Sequence, residues 1–401
     1  MRSTRLPFSP PCIGEEEIAE VVDTLRSGWI TTGPKVARFE QEFAAAVKAP
    51  AALALNSGTA ALQVALAALG IGPGDAVITT PMTFCSTIHV IEQVGARPIL
   101  VDVEPDTLNI NPQHVRKAIS ESDNSGRIKA ILPVHLHGHP CDMQNLHEIA
   151  SQHKLAIIED AAHSLPASFQ GRTIGSGFAG LPTRWLTCFS FYATKNLTTA
   201  EGGMLTGPVD LIEEGRLWSL HGIARDAWKR DNNQAPWLYE VIRPGFKYNM
   251  TDIQAAMGLH QLRKLNSFHQ RRTEISAQYN QAFGDFEHFE LPTQRKDVQH
   301  AWHIYSLRLH LDRISISRDQ FIEELSTRNI SSSVHFIPMH LQPYYRDKYS
   351  YKPESFPIAH REYQRMISLP IYPQMSDGDV ADVIEAVTAI AKKYNARPVY
   401  I

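Results

Sequence analysis

The 401-residue sequence is poor in cysteine. Its four thiols, Cys12, Cys85, Cys141 and Cys188, form no C-x-x-C pair. No disulfide framework is expected, and a reducing cytoplasm fits best. No apolar run approaches the roughly 18 residues of a membrane span, so a membrane is not an expected partner. Neither sign of charge dominates. Lys and Arg number 39 against 42 Asp and Glu, a net charge of −3 that gives no reason to expect nucleic acid. At the start, Met1-Arg2-Ser3-Thr4-Arg5 runs into proline-rich polar sequence instead of an apolar h-region, so no signal peptide is expected. Internal repeats and low-complexity tracts are also missing.

What is present suits an ordinary globular chain with room for two domains: 43% hydrophobic and 20% charged residues. Residues 1–30 read as an arm leading to a helix. That helix is opened by Glu15, Glu16 and Glu17, and Ile18, Val21, Val22 and Leu25 recur at helical spacing. A second helix near Val36–Val47 carries Phe39, Phe43 and Val47 on one face. Strands are expected at Ala52–Leu55, Ala76–Thr79, Pro98–Asp102 and Ile128–Val134, separated by helices. This alternation predicts an α/β fold with a mainly parallel central sheet flanked by helices. Past the helix beginning near Asp252, a second helix from about Leu265 is expected to lead into a smaller domain. There Trp302–Leu309 and Ser333–Phe336 read as strands, and Phe321–Leu325 and Asp379–Ile390 as helices. The expected division is 1–264 for the large domain and 265–401 for a smaller α+β domain.

Three stretches carry chemistry. The run Cys188–Tyr192 reads as a buried strand that breaks into a turn presenting Lys195. A lysine there is desolvated, which lowers its pKa and frees an amine for Schiff-base chemistry; a solvated surface lysine is the plain alternative. The second stretch, Leu155–Ile158 followed by Glu159-Asp160, has the pattern of a parallel strand buried on both faces. Its carboxyl end lies where open α/β sheets bind ligands. A carboxylate there and a lysine on a later strand suit pyridoxal phosphate, the acid pairing with the ring nitrogen and the lysine holding the aldehyde. Asp160 also reads as a helix N-cap. Thirdly, Asn56-Ser57-Gly58-Thr59 sits between a strand and a helix, the architecture of a phosphate site, although Ser and Thr serve as simple N-caps too.

Two further segments admit a functional reading. His135, His137 and His139 alternate as metal ligands on a strand would. Gly138 and Pro140 break that strand, and neither H-E-x-x-H nor a cysteine cluster accompanies it, so a loop-lining role is preferred and no metal is expected. Residues 213–234, polar with basic and aromatic side chains, read either as a solvated face or as a lid over an anionic substrate.

Together these motifs resemble the DegT/DnrJ/EryC1/StrS family. The resemblance rests on Asn56–Ala60, Glu159–His163, Phe189-Ser190-Phe191-x-x-Thr-Lys195-Asn196, Glu201-Gly202-Gly203 and Lys247–Ala256, and runs from about Leu6 to near the C-terminus. It implies the type I fold of pyridoxal-phosphate-dependent aminotransferases. It implies transfer of an amino group from L-glutamate, released as 2-oxoglutarate, to the 4-keto group of a nucleotide-linked sugar, for lipopolysaccharide, surface glycan or secondary-metabolite synthesis. Gly28–Pro34 and the Glu-Asp-Ala-Ala-His form look closest to the branch acting on UDP-4-keto-pentose. By the same resemblance Lys195 holds the cofactor and shuttles protons, Asp160 pairs with the ring nitrogen, and His163 lies near the ring hydroxyl. Phe84 stacks on the ring, while Ser57, Gly58, Thr59 and Ser190 bind the phosphate. Asn249 reaches the phosphate from the neighbouring subunit, which implies a homodimer with shared sites. His335 lies near the sugar. Between Gly175 and Phe189 the chain departs from the family pattern, with a bulkier segment at Gly177–Trp185. A sugar dehydratase of the same fold would carry His in place of Lys195. A C3 aminotransferase and a non-catalytic protein of this fold remain alternatives. A nicotinamide-dependent oxidoreductase would need a G-x-G-x-x-G that Asn56–Thr59 does not supply.

Overall fold

The computed structural model describes residues 2–122, 127–178, 183–224 and 239–396. After the N-terminal arm come helices α1 (Glu15–Ser27) and α2 (Pro34–Val47), strand β1 (Ala51–Leu55), helix α3 (Gly58–Ala68), strand β2 (Asp75–Thr79) and helix α4 (Cys85–Gln93). There follow β3 (Arg97–Leu100), α5 (Pro112–Ser120), β4 (Arg127–Ile131), α6 (Met143–His153), β5 (Ala156–Asp160), the short hairpin β6 (Ser168–Phe169) and β7 (Arg172–Thr173), β8 (Trp185–Ser190), β9 (Gly203–Gly207) and α7 (Val209–Ser219). The large sheet has the order β1-β9-β8-β5-β4-β2-β3. β2, β3, β4, β5 and β8 pair in parallel, while β9 runs antiparallel to both β8 and β1.

Both faces of this sheet are covered, which is why its strands read as continuous apolar runs. On one face Leu53, Val77, Ile158 and Leu205 pack with α3 residues such as Val64 and Leu66 and with Leu211 and Ile212 of α7. On the other, Ala54, Ile78, Ile157 and Met204 pack with Phe39 and Phe43 of α2 and Leu146 and Ile149 of α6. β5 therefore sends Ile158 and Asp160 to one face and Ile157 and Glu159 to the opposite one.

The C-terminal part begins along helix α8 (Asp252–Phe283), 32 residues in one piece. The sequence suggests two helices meeting near Leu265. No glycine or proline interrupts the region around that residue, so the helix continues, and the expected division at 264/265 falls inside it. Its first half packs on α1 and α2, and its second half reaches a three-stranded antiparallel sheet of β10 (Phe289–Glu290), β12 (Tyr305–Leu309) and β13 (Met366–Leu369), with β11 (Val298–Gln299) pairing β6 instead. Helices α9 (Arg318–Thr327) and, at the end of the chain, α12 (Asp377–Lys393) cover it, with α10 (Pro343–Tyr349) and α11 (Pro357–Arg365) between. Leu6 of the arm joins this second core, beside Ile330.

Several expectations are corrected. In α1 the expected apolar face is turned outward: Ile18 and Leu25 are 49% and 54% exposed, whereas Glu17 and Thr24 are buried against α8. Glu17 is held there by Lys264 and by Gln261 at 2.9 Å. An apolar stripe expected along α8 at Ile253, Ala256, Met257, Leu259, His260 and Leu262 is met at Ala256 and Leu259; Ala255, Gly258, Gln261 and Leu265 are buried as well, while Ile253, Met257, His260 and Leu262 are only partly so. Ser333–Phe336 is not a strand. Only Ser333 pairs, with Ser368, and His335 and Phe336 line a cavity instead. Residues 213–219 are the second half of α7, with Gly215 and Ser219 buried, and so are no lid; 225–234 of that expected lid lie outside the described residues.

Candidate active site

The carboxyl ends of β5 and β8 and the amino end of α3 surround one cavity of about 350 Å³. Ser57, Gly58, Thr59, Phe84, Asp160, His163, Ser190, Lys195 and His335 all line it. Asn249 does not. Its side chain bonds to Lys247 and donates to Thr32 Oγ1 at 2.7 Å.

Lys195 follows β8 in a turn closed by its own N–H, which donates to Tyr192 O at 2.9 Å. By accessible surface it is half-buried, because the cavity opens above it. The protein packed around the cavity still desolvates its ammonium and lowers its pKa to about 8, against the opposing pull of Asp160. Asp160, 5% exposed, ends β5. Burial raises its pKa, opposed first by Thr87 Oγ1, which donates to Oδ2 at 2.8 Å, then by Ala162 N–H, which donates to Oδ1 at 3.2 Å, and by the charge of Lys195. Thr83 Oγ1 lies 2.7 Å behind Thr87 Oγ1, so the carboxylate is backed by two hydroxyls.

Glu159 points the other way. It accepts from His135 Nε2–H at 2.9 Å and from Thr187 Oγ1 at 2.8 Å. Burial works against its charge, yet those hydrogen bonds and the nearby imidazoles hold its pKa below the ordinary value. The three alternating histidines are thereby accounted for. His135 bonds to Glu159, His137 Nε2–H donates to His335 O at 2.7 Å, and His139 Nδ1–H donates to Pro140 O at 2.7 Å. Among the described residues no cluster of His, Cys, Asp and Glu is arranged to hold a metal ion.

At the other end of the cavity α3 begins. Ser57 is its N-cap, accepting from Ala60 N–H at 3.1 Å, so this serine does serve as a cap. The N–H groups of Gly58 and Thr59 open the helix with no carbonyl one turn earlier to receive them. A Cβ on Gly58 would lie 2.8 Å from Ser190 Cβ, so the missing side chain is what lets the helix end close on β8. Phe84, the N-cap residue of α4, presents a face that is 56% exposed.

These residues fit pyridoxal phosphate. A helix N-terminus with free N–H groups and hydroxyls suits a phosphate, a buried carboxylate suits a pyridinium nitrogen, an aromatic face suits a flat ring, and a desolvated amine suits an aldehyde. Sequence reasoning missed Thr87, Asn196, His303 and Phe336. Asn196 Nδ2 donates to Leu165 O and Ala301 O, both at 2.9 Å, and so fastens the lysine turn to the start of the small sheet. His303 and Phe336 line the cavity beside His163, whose ring lies 4.5 Å from that of His303 and 5.7 Å from that of Phe336. The spacing of Thr83 and Thr87, one helical turn apart before an apolar stretch, was the signal available for the hydroxyl pair.

The sequence model of the DegT/DnrJ/EryC1/StrS aminotransferase family matches residues 11–388. The spore coat polysaccharide biosynthesis protein SpsC of Bacillus subtilis is 48% identical over 394 residues, covering 98% of each chain. Among solved structures, Spr1654 from Streptococcus pneumoniae in its PMP form superposes with a TM-score of 0.89 at 35% identity, over 97% of this chain and 99% of that one. PseC of Helicobacter pylori, an aminotransferase of pseudaminic acid biosynthesis, superposes with a TM-score of 0.87 at 25% identity, over 98% of this chain and 100% of that one.

Proposed function

The chain belongs to the DegT/DnrJ/EryC1/StrS aminotransferase family, and from that premise we propose that it moves an amino group from L-glutamate to the 4-keto group of a nucleotide-linked sugar. It is an aminotransferase of the type I fold, and its cofactor is pyridoxal phosphate. When bound, that cofactor supplies an electron sink conjugated to the amino group being moved.

The rest of the work falls to the chain's own residues. Asp160, buried and backed by Thr87, would pair with a protonated ring nitrogen, and burial strengthens that pairing because water is excluded there. Lys195 would hold the cofactor through its amine and, once displaced by the incoming amino group, would carry a proton on Nζ within the cavity. Its lowered pKa leaves more free amine near neutrality than a surface lysine has. Gly58, Thr59 and Ser190, with the end of α3, hold the phosphate. Phe84 and His163 would hold the ring. Glutamate departs as 2-oxoglutarate before the keto sugar enters, so both use the one cavity.

The observation that carries this reading is the placement of Asp160 at the end of β5 and of Lys195 in the turn after the neighbouring β8, in one cavity with the amino end of α3. SpsC and PseC, named for polysaccharide and pseudaminic acid synthesis, support a sugar acceptor and a place in surface-glycan synthesis. A homodimer in the cytoplasm, with Asn249 serving the partner's phosphate, belongs to the same proposal, as does a smaller C-terminal domain from residue 265. The dimer is supported by the exposure of Ile18, Leu25, Trp29 and Ile30 and by the position of Asn249 outside its own chain's cavity. The test is amination of a panel of 4-keto sugar nucleotides with L-glutamate, a UDP-linked pentose first. Formation of a 4-amino sugar is expected. Consumption of glutamate with no sugar accepted would overturn the sugar assignment.

A further inference from the structure

Two imidazoles on the cavity wall are fixed in opposite senses. His303 Nδ1 lies 3.1 Å from Asn196 Oδ1. The Asn196 carboxamide cannot turn over, because its Nδ2 already donates to Leu165 O and Ala301 O. An amide oxygen only accepts, so His303 donates from Nδ1. Burial keeps this ring neutral, and Lys195, His163, Arg272 and His335 push in the same direction. Its Nε2 therefore carries a bare lone pair, and among the described residues no protein donor meets it. Arg272, 2% exposed, donates to Trp302 O at 3.2 Å, His303 O at 3.3 Å and Ile371 O at 2.7 Å, which fixes the backbone beneath the ring.

His163 is the reverse. Its Nδ1 accepts from His137 N–H at 3.3 Å, and burial keeps it neutral, so its proton sits on Nε2. The two rings thus present one N–H donor and one bare acceptor, side by side.

We propose that His303 is a ligand-contacting residue whose Nε2 accepts a hydrogen bond from a hydroxyl group, with His163 Nε2–H as the neighbouring donor. A carboxylate or phosphate oxygen has no proton to give to Nε2. At His303 Nε2 the cavity therefore selects a hydroxyl-bearing ligand. Once a ligand fills the cavity and shields Nε2 from water, leaving that acceptor without a partner is costly, which gives the contact its selectivity. The proposal rests on the aminotransferase reading for its ligand: the hydroxyl belongs either to the sugar, next to the reacting carbon, or to the cofactor ring.

Two variants separate the possibilities. His303→Leu removes the acceptor, and His303→Gln keeps an acceptor oxygen. The probes are a UDP-linked 4-amino sugar and its 3-deoxy analogue, each reacted in single turnovers with enzyme carrying pyridoxal phosphate. The wild type is expected to prefer the hydroxylated sugar about 10-fold, the Leu variant to lose that preference and the Gln variant to retain it. If the preference survives in the Leu variant while the pH midpoint of the cofactor band, read without sugar, moves, the hydroxyl is the cofactor's own. Imidazole nitrogen NMR of the wild type gives a readout free of turnover, with the proton expected on Nδ1 of His303 and none on Nε2. A proton on Nε2, or a preference and a band that are both unmoved, overturns the proposal. If none of the proteins loads pyridoxal phosphate, the aminotransferase reading itself fails, and the NMR result alone then decides the proposal on His303.

Discussion

Lys195 and Asp160 were legible because each is a charged residue at the end of an apolar run, where burial of a charge needs a reason. The neutral groups that hold them were not legible. Thr87, Asn196 and His303 come from three separate segments, and their partners are set only when the chain folds. The amine of Lys195 titrates at about 8 in the apoprotein, so capture of pyridoxal phosphate should accelerate as pH rises through about 8 and level off above it. The sign for stability follows from the same shift. Between about 8 and the ordinary 10.5 the unfolded chain holds a proton on this amine that the folded chain has released, so apoprotein stability gains with rising pH across that window. A pH–rate profile for cofactor capture with its midpoint near 10.5 would contradict the burial argument. Thr87→Val removes the hydroxyl that donates to Asp160 Oδ2. Hydrogen bonds to charged groups contribute about 1.5–3 kcal/mol, so pyridoxal phosphate affinity, measured by equilibrium dialysis, should fall roughly 10-fold or more, and the thermal midpoint of the apoprotein should fall too, because the bond is present without the cofactor.

At the scale of elements, periodicity located the helices and strands well and assigned their faces less well. The stripe Ile18–Leu25 has helical spacing, yet α1 turns Glu17 inward because Lys264 and Gln261 of α8 satisfy it. Periodicity counts apolar residues and does not see a carboxylate that already has partners. Thr251 caps α8. Asp252 instead reaches back to α2, accepting from Gly33 N–H at 2.9 Å, Lys35 N–H at 3.1 Å and Val36 N–H at 2.9 Å. Asp252→Ala should therefore unmoor the start of α2 and cost about 2 kcal/mol, read as a lower midpoint in urea unfolding, whereas Asp252→Asn should recover part of the loss. Equal stability of Ala and Asn variants would show that the three N–H groups do not need this acceptor. Gly203 opens β9 against the cap of α3, and a Cβ there would meet Ser57 O at 2.3 Å. Gly203→Ala should displace the start of α3 and weaken phosphate binding, seen as slower cofactor loading.

For the whole molecule, the α/β class and the mainly parallel sheet followed from the alternation of elements. The continuity of α8 did not, because nothing in its sequence marks where it passes from one core to the other. The arm was equally opaque: Leu6 finds its partners more than 250 residues away. If two chains share their sites, mixing Lys195→Ala with Asn249→Ala chains should restore activity that neither variant has alone, because a mixed dimer contains one intact site. No recovery from a mixture shown to exchange subunits would confine Asn249 to its own chain. The most direct test of the account is the absorbance spectrum of the wild type and of Lys195→Ala, each given pyridoxal phosphate and then L-glutamate. A cofactor band that converts to the pyridoxamine form in the wild type and stays unconverted in the variant is the predicted result. A wild type that binds the cofactor but leaves its band unchanged on adding glutamate, or a Lys195→Ala protein that converts as fast, would contradict it.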